Sequence, residues 1–189
     1  MSFVSKSPWL IHYDGASCNG CDIEVLACLT PLYDVERFGV INTGNPRHAD
    51  IFLITGSINE QAEPVVRQIY EQMVEPKVVV AVGICACSGG IFHDCYNVKG
   101  GVDTVIPVDV YVPGCAARPQ AIIDGVVKGL AVLEEKRAAL AAGTPLPQGH
   151  LRAPEDGGPR RVRMDADEQV VTDEPQDPAA DAAAAPQEA

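Results

Sequence analysis

Up to Gly143 the apolar residues of this chain follow two alternating patterns: short, nearly unbroken runs, and longer stretches where apolar positions return at helical spacing. The runs at residues 9–13, 35–41, 51–55 and 77–82 predict strands, and residues 104–112 contain another, interrupted by Pro107. Between them, residues 21–29 predict a helix with Ile23, Leu26 and Ala27 recurring on one side. Residues 59–74 predict a second, carrying Val65, Val66, Ile69 and Met73, and residues 119–140 a third, with Ile122, Ile123, Val126, Val127, Leu130 and Leu133 as its buried stripe. Strands that are apolar on both faces, alternating with helices, imply a mostly parallel sheet covered on both sides. The expected class is α/β, with a flavodoxin-like open sheet in residues 1–143.

The pattern stops after Gly143. Residues 144–189 contain no Phe, Trp, Tyr or Cys, hold seven of the fifteen prolines, and carry ten acidic against four basic residues. Such a segment cannot bury enough apolar surface to offset its ordering entropy, so residues 144–189 are expected to be an acidic, Pro/Ala-rich disordered tail. The basic cluster Arg160, Arg161 and Arg163 reads as part of that solvated tail. Overall the net charge is −12 and no basic stripe is visible, which argues against nucleic acid as a partner. No apolar stretch is long enough to cross a bilayer and the first residues lack the pattern of a secretion signal, so a cytoplasmic location is expected.

Candidate chemistry lies in the cysteines. Cys18, Cys21, Cys85 and Cys115 sit beside glycines in Ser-Cys-Asn-Gly-Cys, Gly-Ile-Cys-Ala-Cys-Ser-Gly-Gly and Pro-Gly-Cys-Ala-Ala-Arg-Pro, each following a predicted strand. In an open parallel sheet all carboxyl ends lie on one edge, so cysteines distant in sequence can converge there. Thiolates are soft ligands for iron and zinc, and glycine lets the backbone wrap closely around a ligated centre. One close pair plus two distant singles suits an iron–sulfur cluster better than structural zinc, which usually takes two close pairs; zinc stays open as the alternative. Peptide groups of Gly83, Gly89, Gly90 and Gly114 can approach the sulfurs, and hydrogen bonds to cluster sulfurs are one lever on reduction potential. The other three cysteines have plainer readings: Cys28 as a small buried hydrophobe, Cys87 and Cys95 as structural or incidental thiols.

Taken together, Ser-Cys-Asn-Gly-Cys-Asp-Ile-Glu-Val-Leu, Asp-Val-Glu-Arg-Phe-Gly-Val, Gly-Asn-Pro-Arg-His-Ala-Asp, Gly-Ile-Cys-Ala-Cys-Ser-Gly-Gly and Pro-Val-Asp-Val-Tyr-Val-Pro-Gly-Cys resemble one family. It is the small electron-transfer subunit shared by respiratory complex I and the membrane-bound, energy-converting nickel–iron hydrogenases, and the resemblance covers about residues 8–140. It implies that Cys18, Cys21, Cys85 and Cys115 hold one 4Fe-4S cluster. In the quinone-reducing complex I branch the first two ligands are adjacent, whereas Asn19 and Gly20 separate them here, as in the hydrogenase branch. After Cys115 there is no further cysteine and a single histidine, His150, so the resemblance is to the short, one-cluster form of Ech, carbon-monoxide-induced and formate-hydrogenlyase complexes. Relatives often show two prolines after the last ligand; Ala116 and Ala117 stand there instead.

The role implied is that of an electron conduit from a ferredoxin-like iron–sulfur subunit to a nickel–iron site on a separate large subunit. Membrane-embedded subunits would complete the complex on the cytoplasmic side of the cell membrane. Glu24 matches an acidic position of the family and is a candidate for proton transfer beside the cluster; His93 with Asp94, following the Cys85 loop, is a weaker one. Competing readings are a complex I-like quinone- or cofactor-linked oxidoreductase without nickel, a structural zinc module, and a nucleotide-binding flavodoxin-like domain. The last lacks both Gly-x-Gly-x-x-Gly after the first strand and a phosphate loop.

Overall fold

The computed structural model describes residues 7–152 together with residues 162–164 and 170–172. Five parallel strands form the main sheet: β1 (Trp9–Asp14), β2 (Ile41–Asn42), β3 (Ile51–Thr55), β5 (Val78–Val82) and β7 (Val110–Val112), in the order β2-β1-β3-β5-β7. Counting only these parallel strands, the order is the 2-1-3-4-5 of flavodoxin-like sheets, with its switch point between β1 and β3. A two-stranded antiparallel ribbon of β4 (Ile58–Asn59) and β6 (Val98–Gly100) stands apart from it.

Each face of the sheet has its own core, and strand alternation decides which side chain joins which. Ile51 and Leu53 of β3 lie in one core with Val78, Val80 and Val82 of β5; Phe52 and Ile54 lie in the other with Val79 and Ala81. All five residues of β3 and of β5 are buried, as a central parallel strand requires. The first face is covered by α1 (Gly20–Cys28) and α4 (Pro119–Ala142), the second by α2 (Ala62–Gln72) and the short α3 (Gly83–Ser88). Pro119 starts α4, where its missing N–H costs nothing, and Gly143 ends it in the left-handed conformation (φ 68°). Close seating of α4 depends on Gly125, where a Cβ would collide with Val112 Cγ2.

Several expectations are corrected. Residues 35–41 do not form a strand: Val35–Phe38 is a 3-10 turn set between left-handed Asp34 and Gly39, and pairing is left to Ile41–Asn42. On α1 the buried positions are Val25 and Cys28, whereas Ile23 and Leu26 are 65% and 58% exposed. The helix turns Cys28 toward α4, where its thiol lies 3.5 Å from the Pro119 carbonyl, and that contact leaves Ile23 and Leu26 outside. Val65 of α2 and Val127 of α4 also face outward, while Val66, Met73, Ile122, Ile123, Val126 and Leu133 are buried. The expected helix at residues 59–74 begins only at Ala62, because Asn59 belongs to β4 and its side chain accepts the Ala62 N–H at 2.6 Å.

The chain does not leave this domain at Gly143. His150 and Val108 exchange backbone hydrogen bonds of 2.7 and 2.9 Å, and Arg152 donates its backbone N–H to the Asp103 carbonyl and its guanidinium to the Asp103 carboxylate at 2.9 Å. Most of the expected tail lies outside the described residues, Arg160 and Arg161 included. Within it, β8 (Val162–Met164) and β9 (Val170–Thr172) pair as an antiparallel ribbon, where the composition predicts no element.

Candidate iron–sulfur site

The carboxyl ends of β1, β5 and β7 deliver the four cysteines. Cys18 and Cys21 follow β1, at the loop and first turn of α1; Cys85 follows β5; Cys115 follows β7. Cys18 and Cys115 are exposed and Cys21 and Cys85 half-buried, so the sulfurs lie at a surface edge of the sheet. The sequence presents Cys85 as a loop residue, but Gly83–Ser88 is a short helix that holds it in its first turn. The helix is held at its start by Ile84 N–H donating to the Gly114 carbonyl at 2.9 Å, a bond that ties the Cys85 segment to the Cys115 segment.

Their electrostatics tie the four together. Burial pushes the Cys21 thiol above its ordinary value; the Ala117 backbone N–H offsets part of this, and Asp22, Cys18 and Cys115 add to the rise. Burial likewise raises Cys85, reinforced by Cys115, Cys21 and Cys18. Cys21 and Cys85 thus resist ionising, first through burial and then through neighbouring cysteines, and a cationic centre that binds thiolates offsets both effects. Gly83 supplies the room: its φ is +85°, and a Cβ there would stand 2.5 Å from Cys21 Sγ. Thiol donors beside this opening suit a soft-metal cofactor. Among the described residues no group of three or more His, Cys, Asp or Glu is gathered so as to hold a single metal ion.

The remaining cysteines separate by environment. Cys28 is buried, donates to the Glu24 carbonyl at 3.2 Å, and its thiol is pushed up to about 11, chiefly by burial. Cys87 is half-buried and also raised to about 11, again chiefly by burial. Cys95 is exposed and lines a cavity of about 380 Å³ with Cys18, Phe92 and Asn97. Glu24 is half-buried one turn beyond Cys21. His93 is an exposed loop residue, bonded to the Gly90 carbonyl at 3.1 Å and to Asp94 at 3.1 Å.

Sequence reasoning missed a polar cluster beside Cys21. The Asp22 carboxylate is reached by Ser17 Oγ at 2.8 Å, Thr55 Oγ1 at 2.6 Å and His12 Nε2 at 3.0 Å. Ser17, Asp22 and Thr55 adjoin motifs already singled out, but His12 lies inside an apolar strand run, and only strand pairing brings it to Thr55. Burial lowers the His12 pKa, outweighing the pull of Asp22 and Asp14.

Fold and site define a class: a flavodoxin-type α/β domain in which four cysteines follow the carboxyl ends of parallel strands. The chain belongs to the family described as NADH ubiquinone oxidoreductase, 20 Kd subunit, which matches residues 18–129. It is 48% identical to the probable membrane-bound hydrogenase subunit mbhJ of Pyrococcus furiosus over 146 residues, 77% of this chain and 85% of that one. Identity to formate hydrogenlyase subunit 7 of Escherichia coli is 42%, over 74% of this chain and 55% of the relative. A subunit of the NADH-quinone oxidoreductase of Flavobacterium psychrophilum is 49% identical, over 66% of this chain and 67% of the relative. These relatives are subunits of oxidoreductase complexes. Among solved structures, a chain of the membrane-bound sulfane sulfur reductase, an archaeal respiratory membrane complex, aligns with a TM-score of 0.61 at 41% identity, over 71% of this chain and 74% of that one. A chain of an NAD+-reducing [NiFe]-hydrogenase aligns at 0.50 with 19% identity, covering 84% and 99%, which shows the shared fold. No helix among the described residues is long and apolar enough to cross a membrane.

Proposed function

We propose that Cys18, Cys21, Cys85 and Cys115 hold one 4Fe-4S cluster, and that the chain is the electron-transfer small subunit of a multisubunit, membrane-bound hydrogenase. The observation that supports this reading is that all four cysteines follow the carboxyl ends of β1, β5 and β7, with the Cys21 and Cys85 thiols both raised by burial and by neighbouring cysteines. Bound there, the cluster would supply one-electron transfer at a protein surface. This chain's part is to hold four thiolates in place, keep one side of the site dry with the sheet core, and present the other side to partners.

Those partners would be a nickel–iron large subunit that receives electrons, a ferredoxin-like subunit that delivers them, and membrane-embedded subunits; the chain itself would sit peripherally on the cytoplasmic side. Identity to mbhJ across 85% of that subunit supports the hydrogenase assignment, as do Asn19 and Gly20 between the first two ligands. Glu24, one turn from Cys21, would move protons at the cluster's edge. A structural zinc site usually draws on two close cysteine pairs, whereas Cys18 and Cys21 are joined by two distant single cysteines, which speaks against zinc.

A second reading has its own support: a complex I-like oxidoreductase without nickel, favoured by 49% identity to the NADH-quinone oxidoreductase relative. Anaerobic purification of the membrane complex containing this chain separates them. Labile sulfide, four irons on this chain beyond those carried by the partner subunits, and a reducible paramagnetic signal are expected, with nickel on the partner. Sulfide and iron without nickel would select the second reading, and a colourless, redox-silent chain would overturn both.

A further inference from the structure

We infer that Asp22 is the positioning residue of the first ligand pair, clamping the Cys18–Cys21 segment from both ends; this rests on the cluster reading above. Ser17 immediately precedes Cys18 and Asp22 immediately follows Cys21, and Ser17 Oγ donates to Asp22 Oδ2 at 2.8 Å, so one hydrogen bond closes the ligand-bearing loop on itself. The same hydroxyl accepts the Asn19 backbone N–H at 2.9 Å, which holds Asn19 in its left-handed conformation (φ 62°) at the start of α1.

The other carboxylate oxygen anchors this closed loop to the sheet. Asp22 Oδ1 accepts from Thr55 Oγ1 at 2.6 Å and contacts His12 Nε2 at 3.0 Å, while His12 and Thr55 lie 3.2 Å apart. Thr55 is fully buried at the end of β3, and His12 lies within β1, so the anchors belong to the two strands that flank the switch point. The side chains of His12 and Asp22 are 19% and 13% exposed, which keeps water from competing for these bonds. Asp22 touches no reacting atom in this arrangement. It fixes where Cys18 and Cys21 stand relative to Cys85 and Cys115, as partners behind metal ligands commonly do.

The test uses the native complex, prepared anaerobically, with Asp22→Ala, Asp22→Asn and Thr55→Val. Asp22→Ala is expected to speed loss of this chain's iron to excess chelator by about tenfold, the lower range for lost outer partners of metal ligands, and to shift the g-values of its reduced cluster. Asp22→Asn has the same shape and retains an acceptor oxygen, so it is expected to restore most of the wild-type retention. Adding Thr55→Val to Asp22→Ala is expected to change little, because one clamp cannot be broken twice. Wild-type chelator resistance and unchanged g-values in Asp22→Ala, or additive effects of the two substitutions, would overturn the inference. If Asp22→Ala does not assemble, Thr55→Val and Ser17→Ala alone are expected to speed iron loss severalfold, and wild-type rates in both would overturn it. A wild-type complex in which this chain carries no iron or sulfide would instead defeat the cluster reading. Amide hydrogen exchange over residues 17–23 then decides the clamp, with faster exchange in Asp22→Ala supporting it and equal exchange refuting it.

Discussion

Gly83 and Cys21 stand so close that a single methyl group on the glycine would lie 2.5 Å from the cysteine sulfur. The glycine also holds φ +85°, a conformation that L side chains rarely adopt. Gly83→Ala therefore combines a backbone cost of about 1 kcal/mol with displacement of a proposed ligand. Iron bound per chain is expected to fall at least about tenfold in affinity, the scale of perturbed metal shells, measured by chelator competition on the purified complex.

The amino-terminal end of the sheet carries an ion pair with no part in the site. Lys136 Nζ donates to Asp109 Oδ1 at 2.8 Å and to the Lys77 carbonyl at 2.9 Å, and Asp109 Oδ2 accepts the Val79 N–H at 2.9 Å. Both side chains are under 10% exposed (8% and 7%). Asp109→Ala would leave a buried ammonium without its counter-ion, and a loss of about 3–5 kcal/mol is expected. Urea unfolding of the chain checks this, and the site's spectrum should stay the same.

His12 makes stability depend on pH in a defined direction. Burial holds its folded pKa below 6.5, so as pH falls the unfolded chain takes up this proton first. The contribution of His12 is therefore level above the unfolded value and declines as pH drops through about 6.5 toward the folded value. Unfolding free energies of wild type and His12→Gln, compared between about pH 5 and pH 8, are expected to diverge in slope only in the acidic half of that window.

Thiol reactivity should sort the cysteines outside the proposed ligand set. Cys28 and Cys87, both held near 11, have few thiolates at neutral pH, whereas Cys95 is exposed. Brief alkylation of the chain near pH 8, read by mass spectrometry, is expected to label Cys95 before Cys28 and Cys87, which stay largely unmodified.

Glu24→Gln keeps the shape of the side chain and removes its ability to carry a proton. In the proposed hydrogenase complex, hydrogen evolution is expected to slow by about 10²-fold, the lower bound for a positioned proton carrier, with the spectrum of the proposed cluster intact. Unchanged turnover would remove Glu24 from the mechanism.

How much of this was legible beforehand varied with the physics of each segment. Residues 51–55 and 77–82 read as strands because full burial on both faces demands unbroken apolar runs, and both appear as such. Residues 35–41 misled for a related reason: Val35, Phe38, Val40 and Ile41 suit a strand, but left-handed Asp34 and Gly39 bend the backbone out of pairing. On α1, Ile23 and Leu26 share helical spacing with one another just as Val25 and Cys28 do, and periodicity alone does not say which side faces the sheet. The tight contact at Gly125 was hidden, because a glycine announces freedom without naming the neighbour that needs it, whereas the approach of Gly83 to a sulfur was legible without saying which one.

The sequence by itself determined the alternation of strand and helix, the set of four cysteines beside glycines, and the family resemblance, since all three are carried by residue type and local spacing. Tertiary structure alone decided the strand order β2-β1-β3-β5-β7, the side of α1 that is buried, and the meeting of His12, Ser17, Asp22 and Thr55 around one carboxylate. The physical reason is the same throughout. Local pattern records what each residue tolerates, whereas pairing of strands distant in sequence chooses which tolerated neighbours come within a hydrogen bond of each other.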